Sequence, residues 1–244
     1  MKRIINRKVG NPIFYPVLVR IEMPGGISVN KRKIQLFIKR IFDIIFSFTI
    51  FVCASPFLLL AMLIVKICSP ESPIIFTQIR PGYKCKPFKI YKLRSMTNEV
   101  DADGRLLPDS ERLKLWGRII RKTNIDEIPQ MINIFKGEMS LIGPRPVLPT
   151  DVELFNAYQL KRQDILPGIS GWEAVNEWET PTWEDKFRYD IYYVENFSLW
   201  LDIKIFFMTI YVIFFAKRPD DSYRPARFSG NETEETYETP IGDL

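Results

Sequence analysis

Asp126 and Glu127 are adjacent carboxylates, preceded by Arg118, Arg121 and Lys122 and followed at once by Ile128-Pro129. Pro129 confines the pair to a loop or the first turn of a helix, where a missing N–H does no harm. A helix start with arginines nearby is a ready anion site. Two carboxylates there could hold Mg²⁺ on a diphosphate, or one of them could attack phosphorus. A structural role competes, because Asn124 followed by Glu127 has the spacing of a capping box. The chain contains no histidine. The commonest general base and transition-metal ligand is therefore missing, and acid–base or metal chemistry must fall to carboxylates.

Arg145 stands between Pro144 and Pro146, directly after Gly143. Two prolines fix two φ angles, so the arginine between them is presented with little entropy left to lose. A guanidinium held this way suits bidentate phosphate binding, although a solvated loop arginine would read the same. Lys92 lies near the end of, and Arg94 just after, a stretch, Phe88 to Leu93, that alternates apolar and basic residues as a half-buried strand does. Both could face the same site or lie on plain surface.

The elements that position these groups come in a definite order. Ile44 to Val65 carries no charge and has Ser55-Pro56 in its middle. As a straight helix the run would measure roughly 33 Å, about one hydrocarbon core. Proline removes a helical hydrogen bond, and Ser55 can bond the freed carbonyl, so a bend is tolerable in lipid. Lys31, Arg32, Lys33, Lys39 and Arg40 precede the run, and Lys66, Arg80, Lys84, Lys86 and Lys89 follow it. Positive charge prefers the cytoplasmic side, and here both ends carry it. The economical expectation is a re-entrant hairpin that breaks at Ser55-Pro56 and returns to the same face; an ordinary kinked spanning helix is the alternative.

The 244 residues are 46% hydrophobic and 26% charged, with net charge +5. Most of the chain fits one soluble-type domain, and the basic balance suits an anionic membrane, phosphate-bearing substrates or nucleic acid. The spacing of Cys53, Cys68 and Cys85 matches no zinc or redox pattern and fits a reduced, cytoplasmic setting. No cleavable signal peptide is expected, since no apolar h-region directly follows the basic start.

The expected organisation is a proline- and glycine-rich lead-in with a basic collar over 1–36, a membrane segment over 37–67, a catalytic domain over 68–216 and a disordered acidic tail over 217–244. Within the domain, the sequence predicts a Pro81-Gly82 turn, a loop over Asn98–Pro108, and helices over 110–122, Ile128–Phe135, 151–163 and Trp183–Asn196. Phe197 to Ala216 is apolar but interrupted by Asp202 and Lys204, and suits an interfacial helix or a buried core helix.

Eight segments in order carry a family resemblance: Lys39-Arg-Ile-Phe-Asp43, Ser55-Pro56, Gln78-Ile-Arg-Pro-Gly82, Phe88 to Met96, Asp126-Glu-Ile-Pro-Gln130, Gly137 to Pro146, Pro167 to Trp172, and Asp190 to Asn196. Together they resemble the bacterial sugar transferases, small monotopic polyprenyl-phosphate phosphoglycosyltransferases, from about Lys39 to Ala216. The resemblance implies a mixed, helix-rich α/β fold: a re-entrant helix-break-helix hairpin, a cytoplasmic catalytic domain, interfacial amphipathic helices and a small antiparallel sheet. It implies transfer of a sugar 1-phosphate from a UDP-sugar to undecaprenyl phosphate with release of UMP, at the bacterial inner membrane, as the first membrane step of a glycan pathway. Asp126 would be the nucleophile and Glu127 the Mg²⁺ ligand, with Arg121, Arg145, Lys92 and Arg94 on phosphate or nucleotide.

Where the family commonly continues Ala-Gln-Val-Asn-Gly after Gly-Trp, this chain has Glu173-Ala174-Val175-Asn176-Glu177, which bears on substrate identity. A common histidine before Pro-Gly is absent, and Arg162-Gln163 stands nearby. No nucleic-acid partner is expected, because the basic residues cluster around the apolar run and the dyad rather than alternating with exposed aromatics. A non-catalytic scaffold of a glycan assembly complex, and a homo-oligomer, stay open at this point.

Overall fold

The computed structural model describes residues 29–176, 182–215 and 228–230. The lead-in before 29, Glu177 and nearly all of the acidic tail lie outside them. The chain opens on α1, Val29–Cys68, a helix assigned without interruption through Ser55-Pro56. The break expected at this dipeptide is therefore not a gap in the helix, and the local chemistry explains why. Pro56 cannot donate to the carbonyl four residues back, that of Val52, and the Ser55 hydroxyl donates to this same oxygen at 2.8 Å.

One stripe of α1 is buried: Lys39, Asp43 and Ser47 in its first half, Leu58, Ala61 and Val65 in its second. The rest of the helix shows Phe37, Phe48, Phe57, Leu59, Leu60 and Leu63 at its surface. It is long and apolar enough to cross a membrane, and only 17% of its most apolar window is buried in the protein, unlike the core helix of a soluble domain.

Strands β1, Ile75–Pro81, and β2, Pro87–Leu93, form an antiparallel hairpin in register from Ile75 opposite Leu93 to Pro81 opposite Pro87. Phe88 and Ile90 alternate inward as the sequence predicts and meet Met131, Ile134 and Met139. Leu93 joins Leu58, Ala61, Val65 and Ile120. The helix predicted over 110–122 is two pieces, α2 at Asp109–Arg112 and α3 at Leu115–Lys122. Leu113 leaves helical geometry (φ −83°, ψ 83°) and buries its side chain between them.

A 3-10 turn, Ile125–Gln130, leads directly into α4, Met131–Lys136, so the helix expected from Ile128 starts as the tighter form. The short strand β3, Ser140–Ile142, pairs in parallel with β4, Gly168–Ser170. The small antiparallel sheet is thus accompanied by a parallel pair that sequence did not announce. The helix expected over 151–163 is likewise divided, into α5 at Pro149–Val152, α6 at Ala157–Leu160 and a 3-10 turn at Lys161–Asp164. Asn156 causes this: it is extended, and its side chain and that of Gln159 each accept from the other's backbone N–H, a reciprocal cap that starts a new helix.

A five-residue helix, α7 at Trp172–Asn176, precedes α8, Trp183–Glu195, which opens on a Thr182–Asp185 capping box. The last helix, α9, spans Leu199–Phe215. Of the two expectations for this stretch, a core helix is excluded. Ile205 is its only buried residue, whereas Trp200 is 74% and Phe207 64% exposed. Phe206 meets Phe46, so α9 touches the first half of α1 there.

Beneath that contact is a charged knot. Lys39 donates to Asp202 at 2.7 Å and to the Ile142 carbonyl at 3.0 Å, and the Tyr193 hydroxyl donates to Asp202 at 2.6 Å. Asp43 accepts from Ser140 Oγ and from the Leu141 amide. Sequence counted Lys39 in the basic collar and Asp202 as an interruption of an apolar helix. They are instead buried partners, because an ion in this interior is tolerated only with a partner.

Candidate active site

The carboxylate pair sits in the 3-10 turn between α3 and α4. Asn124 enters that turn in the left-handed region (φ 55°) and makes no side-chain cap. The capping-box explanation of Glu127 is therefore excluded. Its side chain instead takes Lys92 at 2.8 Å and the Arg145 guanidinium on the same oxygen. Lys92 arrives from β2, which α4 holds in place: Asn133 accepts from the Tyr91 amide and donates to the Lys89 carbonyl at 2.7 Å. Arg121, in the last turn of α3, donates to Ser95 at 2.9 Å and adds its charge near Asp126.

The two acids ionise very differently. Burial, then the neighbouring Glu127 charge, pushes Asp126 up to about 6, against Lys92, Arg121 and Arg145. Burial also works to raise Glu127, but Arg145 and Lys92 outweigh it and hold the group at about 2. One carboxylate is thus a fixed anion among cations, and the other is a weaker acid with a more basic oxygen. Adjacent groups driven apart in this way are a common mark of assigned chemical roles.

Arg145 is 46% exposed at its side chain, so an incoming anion can reach it. Its backbone is held from two sides. Arg162 donates to the Arg145 carbonyl at 2.8 Å and is itself paired to Asp190 at 2.6 Å, both buried. Arg80 donates to the Pro146 carbonyl at 3.3 Å. The loop start is pressed against β4: a Cβ on Gly143 would lie 2.4 Å from the Leu166 carbonyl oxygen, and one on Gly171 would lie 2.5 Å from that of Gly143. Only glycines admit so close a backbone crossing.

Of the residues predicted for the site, Asp126, Glu127, Lys92, Arg121 and Arg145 come together. Arg94 does not join them: its guanidinium bonds the Pro73 carbonyl at 2.6 Å and Asn98 at 2.8 Å, and so ties β2 to the segment before β1. Sequence reasoning gave no role to Arg80, Asn133 or the Arg162–Asp190 pair. The last had a readable signal, since Asp190 is a charge within the apolar face Phe187, Ile191 and Val194.

Among the described residues no three or more His, Cys, Asp or Glu side chains cluster as a metal cage. Two carboxylates facing an anion site nevertheless suit Mg²⁺, which is commonly bound by one or two carboxylates together with substrate phosphates.

A loop arginine held by its backbone, two adjacent carboxylates among three cations and a long helix with an exposed apolar surface are thus combined in one fold. A family model for bacterial sugar transferases matches residues 34–216. The chain belongs to the bacterial sugar transferase family and is a transferase. It is 43% identical over 175 residues to the uncharacterized sugar transferase EpsL of Bacillus subtilis (strain 168), covering 72% of this chain and 86% of that one. It is 40% identical over 194 residues to the UDP-N-acetylgalactosamine-undecaprenyl-phosphate N-acetylgalactosaminephosphotransferase of Aeromonas hydrophila, covering 76% of this chain and 46% of that one. With the UDP-glucose:undecaprenyl-phosphate glucose-1-phosphate transferase of Klebsiella pneumoniae the identity is 38% over 196 residues, covering 75% and 42%. The chain thus spans most of EpsL and less than half of the other two.

Proposed function

We propose that the chain transfers a sugar 1-phosphate from a UDP-sugar to undecaprenyl phosphate, releasing UMP, through a covalent aspartyl phosphosugar on Asp126. The observation that carries this is the arrangement of two adjacent carboxylates among three cations: Glu127 takes Lys92 and Arg145 on one oxygen, and Arg121 stands near Asp126. In the first step an Asp126 oxygen forms a bond to the sugar-bearing phosphorus, the bond from that phosphorus to the UMP oxygen breaks, and UMP leaves with the electron pair. In the second, a phosphate oxygen of the polyprenyl acceptor attacks the same phosphorus and the Asp126 carboxylate departs. The product is a polyprenyl diphosphate sugar.

Lys92, Arg121 and Arg145 bind the diphosphate and offset the charge that moves to the leaving phosphate. Arg145 and Lys92 now engage Glu127 and turn toward the anion when it arrives. Glu127, with Asp126 beside it, would hold Mg²⁺, which supplies charge neutralisation of the diphosphate when bound.

α1 enters the bilayer as a bent re-entrant helix, with both ends and the catalytic domain on the cytoplasmic face of the inner membrane. Three observations support this: both halves of α1 carry buried residues against the one domain, both ends are basic, and Ser55 satisfies the carbonyl that Pro56 leaves free. The active site then lies at headgroup level, where a polyprenyl phosphate presents its anion. The reaction would open a glycan assembly pathway.

The full chain, purified with undecaprenyl phosphate and Mg²⁺, should release UMP from at least one member of a UDP-sugar panel. Without acceptor it should retain a labelled sugar phosphate. Asp126→Asn should do neither, and UMP release at the wild-type rate by that variant would rule out its role. For the topology, single cysteines at Gln35→Cys and Pro70→Cys in a cysteine-free background should label from the same side of sealed vesicles; labelling from opposite sides would establish a span.

A further inference from the structure

The mechanism leaves one buried acid near the Arg145 loop unused. Glu173, in the first turn of α7, is 7% exposed. Its position follows from the glycine crossing: Gly171 lies against the Gly143 carbonyl, so the residues that open α7 stand next to the loop that carries Arg145. The Glu173 charge acts on that arginine, which is raised first by Glu127, against burial, and then by Glu173. It acts also on Asp190, beneath the loop.

Glu173 has less company than its burial calls for. Its ion pair is with Lys186, of α8, at 3.5 Å. An ionised carboxylate offers about four lone-pair sites, and burying it is costly unless they are used. Lys186 pairs with the carboxylate and leaves acceptor capacity near the Arg145 loop.

We propose that Glu173 is a specificity-determining residue of the donor pocket: held by Lys186 next to Arg145, its carboxylate accepts hydrogen bonds from hydroxyl or N–H groups of the sugar and excludes sugars that carry a carboxylate. This rests on the transferase function proposed above. A diphosphate bound at Arg145 places its attached sugar within reach of the loop's neighbours. A fixed anion there rewards donors of hydrogen bonds and penalises a second anion by charge repulsion.

The test uses the full-length protein in phospholipid nanodiscs with undecaprenyl phosphate, Mg²⁺ and UDP-glucose, UDP-N-acetylglucosamine, UDP-N-acetylgalactosamine and UDP-glucuronate, reading kcat/KM from UMP release. Wild type should favour a neutral sugar over the uronate. Glu173→Gln should lower kcat/KM for the best neutral sugar and raise the uronate relative to it, changing their ratio by about tenfold or more, as expected for one charge-assisted hydrogen bond. Glu173→Asp keeps the charge and should keep the preference, and a thermal melt of each variant separates lost selectivity from lost folding.

A merely structural Glu173 would alter the melt or the absolute rate while leaving the ratio within about twofold, and that result overturns the proposal. Failure of wild type to release UMP from any donor sinks the transferase function and this inference with it. Wild-type turnover with an unchanged ratio in the variants sinks the inference alone.

Discussion

At the scale of single residues, the site is organised by giving two neighbouring acids opposite environments. On the mechanism proposed above, Asp126, raised to about 6, is the group whose ionisation governs activity. Attack on phosphorus needs the deprotonated form, so kcat/KM should be flat above about pH 7 and fall toward tenfold per unit below about pH 5. Glu127, held near 2, stays ionised through that window, so one ionisation should govern the acid limb. A limb that follows two protons would contradict this division.

The stability consequence has a definite sign. Because the folded Asp126 binds its proton more tightly than the unfolded chain, its contribution to stability is present below the unfolded value of 3.8 and is lost as pH rises through about 6. Asp126→Asn should therefore raise stability by about 1–2 kcal/mol at pH 7.5 and by much less at pH 4, measured by thermal unfolding in micelles. No stabilisation at pH 7.5 would mean that the carboxylate is well solvated. On the proposed mechanism, catalysis and stability pull against each other at this side chain.

At the scale of elements, the active site depends on contacts between short pieces rather than on long regular ones. The dyad turn, β2 and the Gly143–Pro146 loop meet because Asn133 pins β2, and because Gly143 and Gly171 let two backbones touch. Gly143→Ala would place a methyl group 2.4 Å from the Leu166 carbonyl oxygen. It should cost about 2 kcal/mol or more and shift the loop enough to reduce kcat/KM by at least about tenfold. Retained activity with a normal melt would show that the crossing can open cheaply.

A charge-free run made the apolar part of α1 legible, alternation made β2 legible and patterning made α8 legible, and the sequence named five residues that the structure brings together around Glu127. The short elements were misjudged for identifiable reasons. A reciprocal cap at Asn156 and a buried Leu113 divide stretches whose composition is uniformly helical, and tertiary burial is not a local property. Arg94 has the composition of a phosphate ligand but spends its donors on Pro73 and Asn98. Residues that act through backbone carbonyls, as Arg80 and Arg162 do, leave no spacing pattern to read.

At the scale of the whole molecule, the apolar and catalytic parts are joined by the Lys39–Asp202–Tyr193 knot. Lys39→Met should destabilise the protein by about 3–5 kcal/mol, since it leaves Asp202 buried without its cation. Adding Asp202→Leu should recover much of that loss. Equal melting points for the single and double variants would show that Asp202 is well served by Tyr193 alone. The outer faces of α1 and α9 meanwhile stay apolar over Phe48, Phe57, Phe207 and Phe214.

The knot also bears on how the protein can be cut. α1 is not a detachable tether, because Lys39, Asp43, Leu58, Ala61 and Val65 complete the interior that β2, β3 and α9 begin. Trimming the chain to start after Cys68 would not yield a water-soluble catalyst; it would strip one wall from the fold. A transplanted helix could serve only if it brought a lysine and an aspartate one turn apart to the same places. The apolar helix and the domain that holds the carboxylate pair are, in this chain, a single solid part.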